Sequence, residues 1–130
     1  MHKVEIRHAK ELSFSVDYPQ PGFSIDARGE SGINPVDTLL AALAGCVGVY
    51  IRKYSEGAKL GLENFTVRAE AELSREPVIG LKEINVFVDL KGVKIEERRL
   101  EALLEFIKNC PVHNTLKGSP EVRIKLTNGN

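Results

Sequence analysis

Two cysteines are the residues of this chain best suited to chemistry, and their surroundings differ. Cys46 lies inside a long apolar run, where burial alone would favour the neutral thiol, so it would need a nearby cation in order to react. Cys110 directly precedes Pro111, so it can be the N-cap of a short helical turn that ends near Leu116. Because the N-terminus of a helix stabilises a thiolate, Cys110 is a second candidate for thiol chemistry.

Each of these candidate residues could also be unreactive and have a purely structural role. A cysteine among apolar residues is more often a small buried hydrophobe than a nucleophile. His113 could lie near Cys110 on the same turn, but such a histidine is more often a surface or capping residue than a catalyst. The other histidines, His2 and His8, fall on a predicted strand. Without a Cys-x-x-Cys or His-x-x-x-His pair, the sequence predicts no zinc site.

The composition predicts one domain over residues 1–130 and narrows the function classes. Lysine and arginine together balance aspartate and glutamate at 18 each, so the net charge is zero and no nucleic-acid partner is expected. The N-terminus lacks the apolar core of a secretory signal, and the apolar run 38–51 is too short to cross a bilayer. We therefore expect a cytoplasmic protein with no membrane partner, in which two distant cysteines are poor candidates for a permanent disulfide.

The elements that would position these cysteines follow from the hydrophobic pattern. Period-two alternation predicts three antiparallel strands near the N-terminus, a hairpin of two more, and a last strand at the C-terminus. These strands fall at residues 4–7, 12–16, 23–27, 65–73, 84–90 and 122–126. An amphipathic helix is predicted between the hairpin and the Cys110 turn, at residues 94–109.

A first helix carries Cys46. Asn34 is a suitable N-cap, Pro35 suits the first helical position, and the helix is expected to end near Glu56, with Gly57 as the stop. Because residues 39–51 are apolar or small on every face, we expect this helix to be buried on every face.

The predicted order is β-β-β-α-β-β-α-(short turn)-β, an α+β fold with antiparallel sheets around a buried central helix. A chain of this length has few elements with which to surround that helix. Small residues four apart, as in Ala41 with Gly45, allow another helix to approach closely. We therefore expect a homodimer in which the central helices pack on each other.

Two segments around the cysteines resemble the signature segments of the OsmC/Ohr family of thiol peroxidases. The first runs from Asn34-Pro35 to Leu39-Leu40-Ala41-Ala42-Leu43-Ala44-Gly45-Cys46, and the second is Cys110-Pro111-Val112-His113-Asn114-Thr115-Leu116. The predicted element order agrees with the family over essentially the whole chain. The resemblance implies an OsmC-like fold and a tightly interlocked homodimer with sites at the subunit interface.

The same resemblance implies a two-cysteine reduction of organic hydroperoxides. Cys46 would attack the peroxide, and Cys110 would resolve the product to a disulfide. An external dithiol, a lipoyl group or a thioredoxin-like protein, would then reduce that disulfide. The family implies no bound metal or prosthetic group.

The chain departs from the family where the activating groups are expected. The family has a glutamate directly after the proline, which holds an arginine against the reactive thiol; here that position is Val36 and the nearest acid is Asp37. Nine helical residues would place Asp37 about 13 Å along the axis from Cys46, so it could act only in trans or through a bent helix start. Arg28, and after it Arg7, are the candidates for the arginine.

Three hypotheses therefore remain open from the sequence. The first is a peroxidase that uses Cys46 and Cys110. The alternative is an OsmC-like binding module that holds an apolar or thiol-containing small molecule between subunits and has weak or no peroxidase activity; Val36 favours it. The third is a structural dimer with inert thiols.

Overall fold

The computed structural model describes residues 1–129, which form five strands and three helices. In chain order these are β1 Glu5–Lys10, β2 Ser13–Tyr18, β3 Ser24–Asp26, α1 Pro35–Ala58, β4 Thr66–Ser74, β5 Gly80–Asp89, α2 Glu97–Ile107 and α3 Pro111–Gly118. The α+β class is confirmed. Contacts divide the chain into two compact units, one containing Met1–Ala44 and Arg68–Phe87, the other Gly45–Val67 and the chain from Val88 onward. The expected single domain stays a prediction.

The first unit contains the predicted three-stranded antiparallel sheet, in the order β1-β2-β3. Residues of β1 lie opposite residues of β2 in the antiparallel register, as Ile6 does opposite Val16. The strand β3 is shorter than predicted, because the chain turns away after Asp26 into a loop that Asp26 itself organises. The buried residues of this sheet are Val16 and Asp26.

The start of α1 agrees with the sequence prediction. Asn34 Oδ1 accepts the backbone N–H of Val36 at 2.8 Å, and the Asn34 carbonyl accepts the backbone N–H of Thr38 at 2.8 Å. Asn34 Nδ2 also donates to the carbonyl of Ala27 at 2.9 Å, which ties the cap to the preceding loop. Asn34 is therefore the N-cap, with Pro35 as the first helical residue.

The end of α1 differs from the prediction. Gly57 lies inside the helix, and the residue that leaves helical geometry is Lys59, whose φ is 57°. The N–H of Leu60 bonds to the carbonyl of Ser55 at 2.9 Å, and the Ser55 hydroxyl accepts the N–H of Leu62 at 2.7 Å. These bonds to Ser55 reverse the chain after the helix, so Gly57 is not needed as a stop.

The single chain buries α1 on one face only, so its expected burial on every face, which the expected homodimer would complete, stays a prediction. Leu43, Val47 and Ile51, spaced by one helical turn, are buried, whereas Leu39 is 40% and Val49 51% exposed. One chain covers only one face of this helix. By length and composition the whole helix α1 could cross a membrane, although its apolar run 38–51 alone is too short to do so. Core helices of water-soluble proteins meet the same criterion.

The remaining predicted elements are present with shifted ends, except the last strand. The strands β4 and β5 form the expected hairpin, and α2 is shorter at both ends than residues 94–109. Within residues 1–129 no strand follows α3, so the predicted strand at 122–126 was wrong. Its apolar side chains Val122, Ile124 and Leu126 are 78%, 87% and 92% exposed, because no neighbouring strand in this chain pairs with their backbone.

Candidate functional site

The two cysteines are joined to each other. Cys46 and Cys110 form a disulfide across 64 residues of sequence, with their Cα atoms 6.0 Å apart. Both belong to the second unit, so the site is described within that unit alone. The structure therefore brings together the two residues that the sequence placed at the centre of the chemistry, while their separate roles stay predictions.

Helix termini and local hydrogen bonds hold Cys110 in place. Its N–H donates to the carbonyl of Ile107 at 3.0 Å, its carbonyl accepts the N–H of Asn114 at 3.0 Å, and its Sγ accepts the backbone N–H of His113 at 3.5 Å. Cys110 is thus the N-cap of α3, with Pro111 at the first position, as the Cys-Pro sequence predicted. The contact to His113 that the structure gives is through its backbone amide.

The burial of the two cysteines differs, and in the single chain Cys46 is less buried than its apolar sequence suggested. Cys110 is 0% exposed, whereas Cys46, on the middle of α1, is only half-buried. The apolar sequence around Cys46 suggested full burial, but α1 has an uncovered face in the single chain. The half-buried cysteine is therefore the one that a reagent from solvent reaches more easily.

This arrangement can perform two-electron thiol–disulfide chemistry. The Cα separation of 6.0 Å lies within the range found for protein disulfides. Among residues 1–129 no group of three or more histidine, cysteine, aspartate or glutamate side chains could hold a metal ion. The chemistry that the described residues offer is that of the sulfur pair.

The predicted supporting residues Arg28 and Asp37 fall in the first unit. Arg28 forms ion pairs with Glu11 at 2.6 Å, Asp26 at 3.5 Å and Glu30 at 3.7 Å. Asp37 is exposed in the first turn of α1. The second arginine candidate, Arg7, pairs with Asp17 at 2.9 Å. Each arginine is thus occupied by carboxylates of its own unit, and the role of these residues toward Cys46 stays a prediction.

Asp26 is a structural carboxylate that the sequence did not single out. Its side chain is fully buried and accepts the backbone N–H groups of Ser31 and Arg28, at 3.0 and 2.9 Å, and the Ser31 hydroxyl at 2.9 Å. These hydrogen bonds, first that from the Ser31 backbone, hold the pKa of Asp26 far below its ordinary value. Asp26 therefore fixes the loop that leads into α1.

An aromatic cluster beside the disulfide was also missed. The Phe106 ring lies 5.6 Å from the Tyr50 ring and 5.6 Å from the Tyr54 ring, centroid to centroid. Tyr50 follows Cys46 by four residues and Phe106 precedes Cys110 by four, which is the signal that the sequence offered. The amphipathic pattern at residues 94–109 predicted the helix but did not single out Phe106.

The second unit also contains an apolar groove between the end of β5 and α2. We call it the β5–α2 groove; its volume is about 270 Å³. It is lined by Val88, Leu90, Leu100, Leu103, Leu104 and Ile107, with Glu97 and Glu101 as its charged members. The groove offers an apolar surface on the same unit as the disulfide.

Comparison with known sequences gives one family. Residues 28–125 match the family model described as OsmC-like protein. Two relatives, both named hydroperoxide reductase, come from Mycoplasma genitalium, at 27% identity over 111 residues, and Mycoplasma pneumoniae, at 26% over 110 residues. The first alignment covers 80% of this chain and 78% of the relative, and the second 79% and 77%.

Comparison with solved structures shows the fold. An OsmC like protein from Mycoplasma pneumoniae has a TM-score of 0.78 at 22% identity, covering 92% of this chain and 89% of that one. The organic hydroperoxide resistance protein OhrB of Bacillus subtilis has a TM-score of 0.63 at 17% identity, covering 90% of each chain. An OsmC-like protein of unknown function from Vibrio cholerae is similar as well, with a TM-score of 0.70 at 14% identity, covering 88% of this chain and 92% of that one.

Proposed function

The chain belongs to the OsmC-like protein family, and from this premise we propose that it is a thiol-dependent peroxidase that reduces organic hydroperoxides with two cysteines. The observation that supports the proposal most is the bond between Cys46 and Cys110. A sulfur pair that closes to a disulfide is what a two-cysteine peroxide cycle requires. The names of the two Mycoplasma relatives agree with this activity.

In the proposed cycle Cys46 reacts first. Its thiolate attacks the outer oxygen of the hydroperoxide, the O–O bond breaks, and the alkoxide takes a proton to leave as the alcohol. The product is a sulfenic acid on Cys46. The sulfur of Cys110 then attacks that of Cys46, the S–O bond breaks, hydroxide leaves and becomes water, and the disulfide forms. The half-buried position of Cys46 and the full burial of Cys110 suit these two roles.

An external dithiol then reduces the disulfide back to two thiols. One thiolate of the reductant attacks the disulfide, forms a mixed disulfide and releases one cysteine thiol. The second reductant thiol then attacks the mixed disulfide and releases the other cysteine, so the reductant leaves as a disulfide. We propose a lipoyl group or a thioredoxin-like protein as this reductant. The cycle uses the two sulfurs alone and needs no bound cofactor.

Steady-state turnover of cysteine variants tests this proposal. With cumene hydroperoxide as substrate and dihydrolipoamide as reductant, Cys46→Ser abolishes turnover. Cys110→Ser retains one rapid oxidation of Cys46 but loses turnover with the dithiol, and mass spectrometry finds Cys46 as the sulfenic or sulfinic acid. Wild-type turnover that persists in Cys46→Ser, or no turnover in the wild type, contradicts the proposal.

The second candidate function is a binding module for an apolar small molecule, and the β5–α2 groove is the observation that favours it. A pocket lined by leucine, isoleucine and valine would hold an apolar ligand with its polar end toward Glu97 or Glu101. The replacement of the expected glutamate by Val36 points the same way. Titration with a fluorescent long-chain alcohol, whose hydroxyl could donate to Glu97 or Glu101, separates the two functions: saturable binding that Leu104→Lys removes, without peroxide turnover in the wild type, favours the binding module.

We further propose a homodimer in the cytoplasm, with no nucleic-acid or membrane partner. The uncovered apolar side chains of α1 and of the C-terminal segment support an association between two copies. In such a dimer Asp37 and Arg28 of one protomer remain candidates for activating Cys46 of the other. Arg28 would first have to exchange its carboxylate partners in the first unit.

A further inference from the structure

The aromatic cluster and the disulfide connect the same two segments of the second unit. Phe106 is in the last turn of α2 and packs against Tyr50 and Tyr54, which lie on successive turns of α1. Four residues of helix correspond to about 6 Å of rise, so Tyr50 lies about one turn beyond Cys46 on α1. The ring contact is therefore a second, noncovalent connection beside the Cys46–Cys110 bond.

Only one of these two connections is lost when the disulfide is reduced. The short stretch between Phe106 and Cys110 is itself constrained, since the N–H of Asn109 donates to the Phe106 carbonyl at 3.1 Å and that of Cys110 to the Ile107 carbonyl at 3.0 Å. These two hydrogen bonds constrain the backbone between Phe106 and Cys110. Where the ring of Phe106 sits on α1 determines where the sulfur of Cys110 sits relative to Cys46.

We propose that Phe106, held between Tyr50 and Tyr54, is the positioning residue for the step that forms the sulfur–sulfur bond. For peroxide reduction this role rests on the function proposed above. The ring contact keeps Cys110 close to Cys46 after reduction, so that attack on the oxidised sulfur of Cys46 is faster than a second oxidation of that sulfur. Phe106 touches neither reacting sulfur in this role; it sets the effective concentration of one sulfur at the other.

Equilibration with glutathione tests this without using peroxide. Glutathione disulfide oxidises the reduced protein first to a mixed disulfide and then, with loss of glutathione, to the Cys46–Cys110 disulfide. The equilibrium constant is the effective concentration of the two thiols. Phe106→Leu lowers it about tenfold, equal to about 1.4 kcal/mol, the scale of two aromatic contacts. Phe106→Tyr, which keeps the ring, restores it.

The chain offers a matched control. Phe87 is a half-exposed phenylalanine of the first unit, its ring lying 4.7 Å below the Arg68 guanidinium carbon, and Phe87→Leu leaves the effective concentration unchanged. In single-turnover oxidation by cumene hydroperoxide, Phe106→Leu leaves the first step unchanged, slows disulfide formation about tenfold and increases sulfinic acid on Cys46. A purely structural role would not produce this partition between products.

The outcomes separate this inference from the proposed function. An effective concentration in folded Phe106→Leu equal to that of the wild type overturns the inference, and so does an equal decrease in Phe106→Leu and Phe87→Leu. If Phe106→Leu does not fold, Tyr54→Leu removes one of the two contacts from the other side and lowers the value about threefold; no change overturns the inference. A wild type that does not react with peroxide contradicts the function, while the glutathione result still decides the positioning role.

Discussion

At the scale of single residues, Asp26 links the N-terminal sheet to the start of α1. Its carboxylate is buried and fully hydrogen-bonded, and the pKa is lowered chiefly by the backbone N–H of Ser31. The unfolded chain therefore binds a proton at Asp26 at a higher pH than the folded chain does. This contribution to stability is complete above the unfolded pKa and is lost as the pH falls toward the folded one.

The variant Asp26→Asn tests this pH dependence. An amide places N–H donors against the N–H groups of Arg28 or Ser31, so we expect lower stability at neutral pH and a weaker loss of stability on acidification below about pH 4. Urea unfolding at a series of pH values measures both. The control is Asp89→Asn, an exposed acid that bonds the Lys91 N–H at 2.8 Å. Parallel pH profiles of wild type and Asp26→Asn would contradict this account.

The sulfur of Cys110 has a second, structural function as the N-cap of α3. Serine caps helices well and alanine does not. Under reducing conditions we expect Cys110→Ser to match the thermal stability of the wild type and Cys110→Ala to lose about 1 kcal/mol. Thermal unfolding in the presence of a reductant compares the three proteins. If both variants are equally stable, the cap contributes nothing.

At the scale of elements, the end of α1 depends on one hydroxyl group. Ser55 is buried and accepts the N–H of the buried Leu62, whose carbonyl accepts a hydrogen bond from Arg52 Nη1 at 2.8 Å. Ser55→Ala leaves that N–H without a partner and is expected to cost about 1–3 kcal/mol. The half-buried Ser74, which donates to the carbonyl of Glu76 at 3.1 Å in a solvent-exposed hydrogen bond, gives the control Ser74→Ala, with an expected change within about 0.5 kcal/mol. Equal effects in urea unfolding would contradict the assignment.

The sequence predicted those element ends that local chemistry decides. Asn34-Pro35 and Cys110-Pro111 each contain both the capping side chain and the residue that fits the first helical position, and both helices start there. Gly57 failed as a stop because a glycine inside a helix is only mildly unfavourable, while the hydrogen bonds that the N–H groups of Leu60 and Leu62 donate to Ser55 hold the chain where it leaves the helix. The residue types of Ser55, Leu60 and Leu62 do not by themselves predict that these hydrogen bonds form.

At the scale of the whole molecule, apolar side chains on α1 and at residues 122–126 are exposed, and the contacts within one chain do not explain why these positions are apolar. The alternation at 122–126 predicted a strand that the described chain does not form, because a strand also needs a neighbour and the described chain supplies none. Likewise, the composition of α1 predicted burial, while burial on its second face depends on a partner. The aromatic cluster was missed because the spacing places Tyr50 and Phe106 each four residues from a cysteine but does not say that the two rings meet.

The proposed homodimer leads to a prediction about two glycines of α1. A Cβ atom added at Gly45 or at Gly57 meets nothing within 4 Å in the single chain. Gly45 belongs to the small-residue face that would contact a second helix, whereas Gly57 does not. Gly45→Leu is therefore expected to sediment at the 14.4 kDa of one chain, and wild type and Gly57→Leu at twice that mass. A monomeric wild type, or a dimeric Gly45→Leu, would contradict the proposed packing.

The central claim is that Cys46 and Cys110 reduce organic hydroperoxides, and single-turnover oxidation of the reduced wild-type protein tests it most directly. Stopped-flow mixing with cumene hydroperoxide, and separately with hydrogen peroxide, is followed by mass spectrometry of the product. The account predicts a rapid reaction that favours the organic peroxide and ends in the Cys46–Cys110 disulfide. Oxidation by both peroxides no faster than that of a free thiol would contradict it.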